Sequence, residues 1–268
     1  MSDQISPMSS SPEDPLEGDG SSQSETTPPV PLARISLRLE TNKPVVTYTL
    51  IVVTVLFFLL QMISDVVVGY DLPALYGMKV NDLVLRGEVW RLFTPALLHG
   101  GLLHIFFNMY ALFSIGREIE LYYGHWRYLA LYMVSAFAGN VFSFLFTASP
   151  SLGASTAIFG LIGAQALFIY QNRKFFKNSR AMLTNSLMVI AINLFVIGSL
   201  QFVDNFGHLG GLLGGAIFAW LAGPIWEPAG NYPVIEISDQ RKNSRTLPVA
   251  LGVFMLFALV AALKLLVK

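Results

Sequence analysis

Long apolar runs, broken by short charged or glycine-rich stretches, set the rhythm of this chain. Seven such runs lie at about 45–68, 98–115, 128–148, 154–170, 181–202, 206–225 and 249–267. Each is close to the ~20 residues that a helix needs to cross ~30 Å of hydrocarbon. The pattern predicts an all-α, polytopic bundle: a six-helix core over 45–225, a linker over 226–248 and an additional transmembrane helix over 249–268. Residues 1–44 form a different kind of segment. The first 33 are rich in Ser, Pro, Gly and acid, with no basic residue before Arg34. They bury too little apolar area to offset the entropy of ordering, so disorder is expected there. They lack the basic and apolar regions of a signal peptide, which leaves the first span to act as the insertion signal. The connection over 69–97 carries Trp90-Arg91 among apolar and aromatic residues. It reads as a loop partly embedded in the membrane, its backbone covered by protein.

Composition agrees with a membrane class. Of 268 residues, 54% are hydrophobic and 13% charged, against about 25% charged in soluble domains. The formal net charge is zero, which gives no electrostatic reason to expect nucleic acid as a partner. There is no cysteine, so disulfides, thiolate metal sites and a cysteine nucleophile are excluded.

The basic residues divide the loops. Arg34, Arg38 and Lys43 precede the first run; Arg117 and Arg127 flank the second turn. Arg173 to Arg180 and Arg241 to Arg245 complete the set. All fall on one side if the runs cross alternately, and that side is then the cytoplasm. The amino terminus is expected there, in a multi-pass protein of a bacterial cell membrane. Ser155 and His208 then both lie at the outer ends of their helices, at similar depth.

These two residues are the first candidates for chemistry. A lone serine in a membrane helix commonly bonds back to a carbonyl one turn earlier. The Gly153-Ala154-Ser155-Thr156-Ala157 stretch is not a soluble-hydrolase elbow, because no strand precedes it and Ala157 replaces the second glycine. His208 is a stronger signal, since an ionisable group inside a span faces an interior or a cavity. Gly211 and Gly215 share its helix face and permit close approach to a neighbour. Ser155, Phe159 and Gly163 recur at intervals of four on one face of the fourth run. If the two faces meet, His208 lies over Ser155 as base to nucleophile, with Phe159 beneath the imidazole. Asp204 sits on the rim one turn before His208, so a two-residue arrangement is favoured over a triad. His104 and Asn108, also four apart, offer donors for an oxyanion; a polar clamp between helices is the alternative. His99 is a capping or cavity-lining residue. No His-Glu-x-x-His helix is present, so no metal or other cofactor is expected.

Taken together these residues resemble the rhomboid family of intramembrane serine proteases. Trp90-Arg91 is similar to the family's pair in the first loop, and His104-x-x-x-Asn108 to its helix-two motif. Gly153-Ala154-Ser155-Thr156 is similar to its nucleophile motif, and His208-x-x-Gly211-x-x-x-Gly215 to its base motif. Glu120-x-x-x-Gly124 resembles a structural motif at the end of helix two. The resemblance implies Ser155 as nucleophile and His208 as base. It also implies an oxyanion hole built from His104, Asn108 and the Ser155 N–H. Thr156 stands where the family often has glycine, and Phe159 where tyrosine is frequent. The implied partners are transmembrane protein substrates in the lipid bilayer. A catalytically inactive relative that binds transmembrane clients is the competing expectation. A transporter would want mid-membrane charges and an internal repeat, and neither is evident.

Overall fold

The structure is a computed structural model and describes residues 34–36, 43–199, 203–230, 234–241 and 243–266. The segment expected to be disordered, 1–33, lies outside these residues. The architecture is helical. Among the described residues, four stretches are by themselves long and apolar enough to cross a membrane: Val45–Val68, His125–Phe146, Ser179–Val196 and Asn243–Lys264.

The first helix, α1 (Val45–Val68), turns four polar side chains inward, while Thr49 and Asp65 stay exposed. Thr47, Thr54, Gln61 and Ser64 are buried with Phe58, while Leu56, Ile63 and Val66 face outward. That inversion suits a lipid surround, where an apolar outer face costs nothing and polar groups need partners inside. Gly69, at φ +86°, ends the helix. The connection that follows folds into two short helices, α2 (Leu72–Gly77) and α3 (Asn81–Leu85), and two 3-10 turns at Val89–Leu92 and Thr94–Leu97. Arg91 organises it. Its guanidinium, 2% exposed, donates to Glu88 Oε2 at 2.7 Å and to the Met78 and Leu75 carbonyls at 2.8 and 3.0 Å. Trp90 Nε1 donates to the Tyr76 carbonyl. These bonds tie the turns of this connection to one another.

The second run departs from its expected bounds. The helix begins at Leu102, not 98, because residues 94–97 are used by the 3-10 turn. It runs as α4 (Leu102–Ala111) through a π turn at Leu112–Gly116 into α5 (Arg117–Tyr123). The charges expected in the following turn are therefore helical, and each has a partner. Glu118 accepts from Tyr122 and from Gln165; Glu120 accepts from the start of α1. The chain turns at Gly124, whose φ of +73° suits glycine.

The centre is a trio: α6 (His125–Phe146), α7 (Ser155–Gln171) and α9 (Asn205–Ala222). Lipid supplies no hydrophobic drive between helices, so close packing of small residues must hold them. α9 has two glycine faces. Gly210 and Gly214 press on Ala138 and Phe142 of α6. Gly211 presses on the Thr156 carbonyl, and a Cβ added to Gly215 would lie 2.5 Å from Gly160 Cα. Gly163 meets Leu212. Gly160 and Gly139, which the sequence reading did not single out, complete these contacts.

α8 (Ser179–Ala191), extended by a π turn at Ile192–Val196, buries only Ser186 among its described side chains and packs on α7. α10 (Thr246–Leu266) lies on α6 and α9. A small sheet, ordered β1-β3-β2, joins β1 (Arg34–Ser36) parallel to β3 (Val234–Asp239), with β2 (Trp226–Ala229) antiparallel on its other edge. It ties a piece of the amino-terminal segment to the linker, a pairing across nearly the whole chain that no local pattern announces.

Candidate active site

Ser155 is the first residue of α7, and the chain reaches it through Gly153. That glycine has φ +138°, and a Cβ on it would lie 2.9 Å from Cε1 and Nε2 of His104 and 3.6 Å from Ser155 Oγ. Conformation and crowding both require glycine there. His104 and Ser155 therefore border the same small space above Gly153. The Gly100 N–H donates to His104 Nδ1 at 3.4 Å, which leaves Nε2 protonated and available as a donor on the Ser155 side.

His208 lies on the first turn of α9. Its Nε2 is 2.9 Å from Ser155 Oγ. Its ring stacks on Phe159, with centroids 4.2 Å apart and planes 10° from parallel. The glycine packing of α9 on α7 permits this approach, because a side chain at Gly211 would strike the carbonyl of Thr156, one residue past the serine. His208 is 8% exposed, and its Nδ1 makes no hydrogen bond among the described residues. Asp204 does not serve it. That carboxylate caps α9, accepting from the Gly207 N–H at 3.0 Å, from Thr147 Oγ1 at 2.8 Å and from Ser143 Oγ.

A family profile for the rhomboid domain matches residues 86–225, more than half of the chain. The chain belongs to the rhomboid family. It is 37% identical over 218 residues to rhomboid protease GluP of Bacillus subtilis, covering 81% of this chain and 41% of that protein. It is 42% identical over 146 residues to RHOMBOID-like protein 1 of Arabidopsis thaliana, covering 54% and 37%. Rhomboid-like protease 1 of Toxoplasma gondii is 35% identical over 163 residues, covering 57% and 56%. The chain thus spans less than two thirds of each of these relatives. As a rhomboid with long apolar helices, it is a multi-pass integral membrane protein.

Within this rhomboid fold the residues singled out from sequence separate into two groups. Ser155, His208, Phe159 and His104 converge at one end. Asn108 is buried on α4 one turn below His104. Trp90 and Arg91 brace the connection between α1 and α4. Glu120 and Gly124 lie at the opposite end, where Glu120 takes the Val46 and Thr47 N–H groups at 2.9 and 2.7 Å and His125 Nδ1 at 2.5 Å. His99 has a larger part than capping. Its Nε2 accepts from the Ala154 N–H at 3.4 Å, its ring meets that of His104, and its backbone is clamped by the Gln61 amide. Gln61 was missed, although an amide in the middle of an apolar run is a visible signal.

Proposed function

We propose that this chain is an intramembrane serine endopeptidase that cuts peptide bonds in or near the transmembrane segments of membrane-protein substrates. The observation that carries the reading is the 2.9 Å Ser155 Oγ to His208 Nε2 contact, with the imidazole stacked on Phe159. A serine hydroxyl becomes a useful nucleophile when a base takes its proton. Ser155 Oγ attacks the scissile carbonyl carbon as its proton passes to His208 Nε2. The tetrahedral oxyanion is met by donors: the Ser155 N–H, His104 Nε2 and Asn108. The carbon–nitrogen bond then breaks, and His208 returns the proton to the leaving amine. Water, deprotonated by His208, attacks the acyl ester, releases the carboxylate-bearing fragment and restores Ser155. Phe159 performs by packing the orientation that a carboxylate provides in three-residue sites.

The topology proposed with it is a six-span core over 45–225 plus a seventh helix, amino terminus in the cytoplasm, supported by the one-sided basic flanks. Water and substrate then reach the pair from outside. The substrate helix must unwind locally, because a helical carbonyl is shielded by its own hydrogen bond. An activated phosphonate tests the reading. Wild type should be labelled at Ser155 alone and should cleave a transmembrane substrate in detergent. Ser155→Ala and His208→Ala should each abolish both, with a loss on the order of a million-fold as for the equivalent pair in a soluble protease. A folded wild type that takes no label would favour an inactive client-binding relative.

A further inference from the structure

A second polar cluster sits beside the pair and meets it only through the backbone N–H of His208. Lys79, in the outer connection, is wholly buried, and its Nζ donates to the carbonyls of Thr147 and Ser149 at 2.9 and 2.8 Å and to Asn81 Oδ1 at 3.2 Å. Its backbone pairs with Ser151 in both directions, at 2.9 and 3.1 Å. Ser151 Oγ lies 2.9 Å from Ser143 Oγ, and Ser143 in turn donates to Asp204. Asp204 takes the side chain of Thr147 and the Gly207 N–H, and its own carbonyl accepts the His208 N–H at 3.0 Å. Lys264, near the end of α10, donates to the Leu145 carbonyl at 3.1 Å and to that of Phe144.

One network thus joins the outer connection, the end of α6, the turn into α7, the start of α9 and the end of α10. Ser151 precedes Ser155 by four residues, and Asp204 precedes His208 by four. The same hydrogen bonds hold both approaches to the reactive pair. A buried lysine and a buried aspartate are costly without such partners, and neither is needed merely to close a loop. We propose that Lys79 and Asp204 are positioning residues, whose charges hold the α6–α7 turn and the start of α9 at the separation the Ser155–His208 contact requires.

The charged state follows from the surroundings. Burial pushes the Lys79 ammonium down to about 8, against the pull of Asp204 and with a further push from Lys264. Burial also pushes the Asp204 carboxyl up, but bonds from Ser143, Gly207 and Thr147 and the charge of Lys79 more than offset this, so it rests below its ordinary value. The groups facing Lys79 from its neighbours are Asp204 on α9, Lys264 on α10, the neutral Asn81 amide and two carbonyls. As pH rises Asp204 keeps its charge, and Lys79 is the one of the two that loses its own.

The inference rests on the protease reading, and the test separates the two. The full chain in detergent micelles is labelled with the phosphonate and assayed on a transmembrane substrate from pH 6 to 9.5. Wild-type rate should fall as pH passes about 8, with kcat falling and KM steady. Lys79→Met and Asp204→Ala should label and cleave roughly 10- to 100-fold more slowly, and Lys79→Met should lack the fall near pH 8. Asp204→Asn, which keeps an acceptor for Gly207 and Thr147, should melt near wild type and recover part of the rate of Asp204→Ala. Folded variants that label at the wild-type rate, or a Lys79→Met profile that keeps the alkaline fall, would overturn the positioning role. A wild type with no label at Ser155 would overturn the protease reading beneath it.

Discussion

The two ends of the bundle use similar devices for different purposes. At the Glu120 end, a buried carboxylate caps the start of α1, Arg127 binds Asp239, the Arg241 carbonyl and Asn243, and the Arg241 guanidinium takes the last carbonyls of α9 at Trp220 and Gly223. At the Ser155 end, Asp204 caps the start of α9 and Lys79 and Lys264 take carbonyls at and beyond the end of α6. Acid at helix starts and base at helix ends match the helix dipole in both places. The difference lies in what the charges border. The Glu120 cluster ends on helix termini and the small sheet. The Ser155 cluster borders a hydroxyl–imidazole pair with no third member, since His208 Nδ1 has no partner among the described residues. Polar groups in a membrane interior can simply fasten helices, and what sets the Ser155 end apart is a serine hydroxyl held against an imidazole.

If the ends differ in this way, variants at one should cost rate and variants at the other stability. Asn108→Ala is the sharpest rate test after the pair itself. Loss of one oxyanion donor costs about 10²–10³-fold in kcat in a soluble protease. The substrate assay should show a loss of that order with an unchanged melting temperature. If the rate falls only as folded protein is lost, Asn108 is a clamp and the contrast between the ends weakens.

Glu120→Ala should do the reverse. It leaves the Val46 and Thr47 N–H groups and the Thr47 hydroxyl without their acceptor. Unsatisfied buried groups cost about 1–3 kcal/mol, so a denaturation curve should shift by roughly that amount. Phosphonate labelling per folded molecule should match wild type. Slow labelling by the folded variant would mean that the two ends are coupled.

The smallest effect is expected of Gly163→Ala, set against Gly211→Ala in the same central trio. Gly211→Ala places a methyl against the Thr156 backbone carbonyl, which cannot yield, whereas Gly163→Ala meets first the flexible end of Leu212 at 2.7 Å. Overpacking against backbone costs roughly 1–3 kcal/mol and should widen the Ser155–His208 gap. Gly163→Ala should stay close to wild type in melting temperature and labelling. Equal damage from both would mean that α9 approaches α7 more evenly along its length than these contacts imply.

The Ser155–His208 contact was legible because its signals are local. A serine after glycine at a helix start and a histidine one turn from glycines are visible in short windows, and helical spacing alone places Phe159 under the ring. The cluster around Asp204 was not. Ser143 and Asp204 are 61 residues apart and Lys79 and Thr147 are 68 apart, and Lys79 reads as an ordinary loop lysine. Asp204 was judged by its distance from His208 along the chain, which missed its bonds to α6. The helix register was legible to within a few residues, except where a 3-10 turn delayed α4 and a π turn extended it. Gly160, the partner of Gly215 on α7, was not singled out, because the crossing of α7 and α9 depends on side-chain sizes on both helices.

The Glu120 clamp also sets an order of events during synthesis. Val46 and its acceptor are separated by 74 residues, so α1 leaves the ribosome with its leading amide groups unserved. At about 5–20 residues per second, roughly 4–15 seconds pass before the carboxylate exists. Until then α1 can lie in the bilayer as a single span, its first turn hydrated at the interface. Docking of the nascent α5 against it is the event that fastens the first turn of α1, and a nascent chain halted before Glu120 would hold α1 inserted with that turn unfastened.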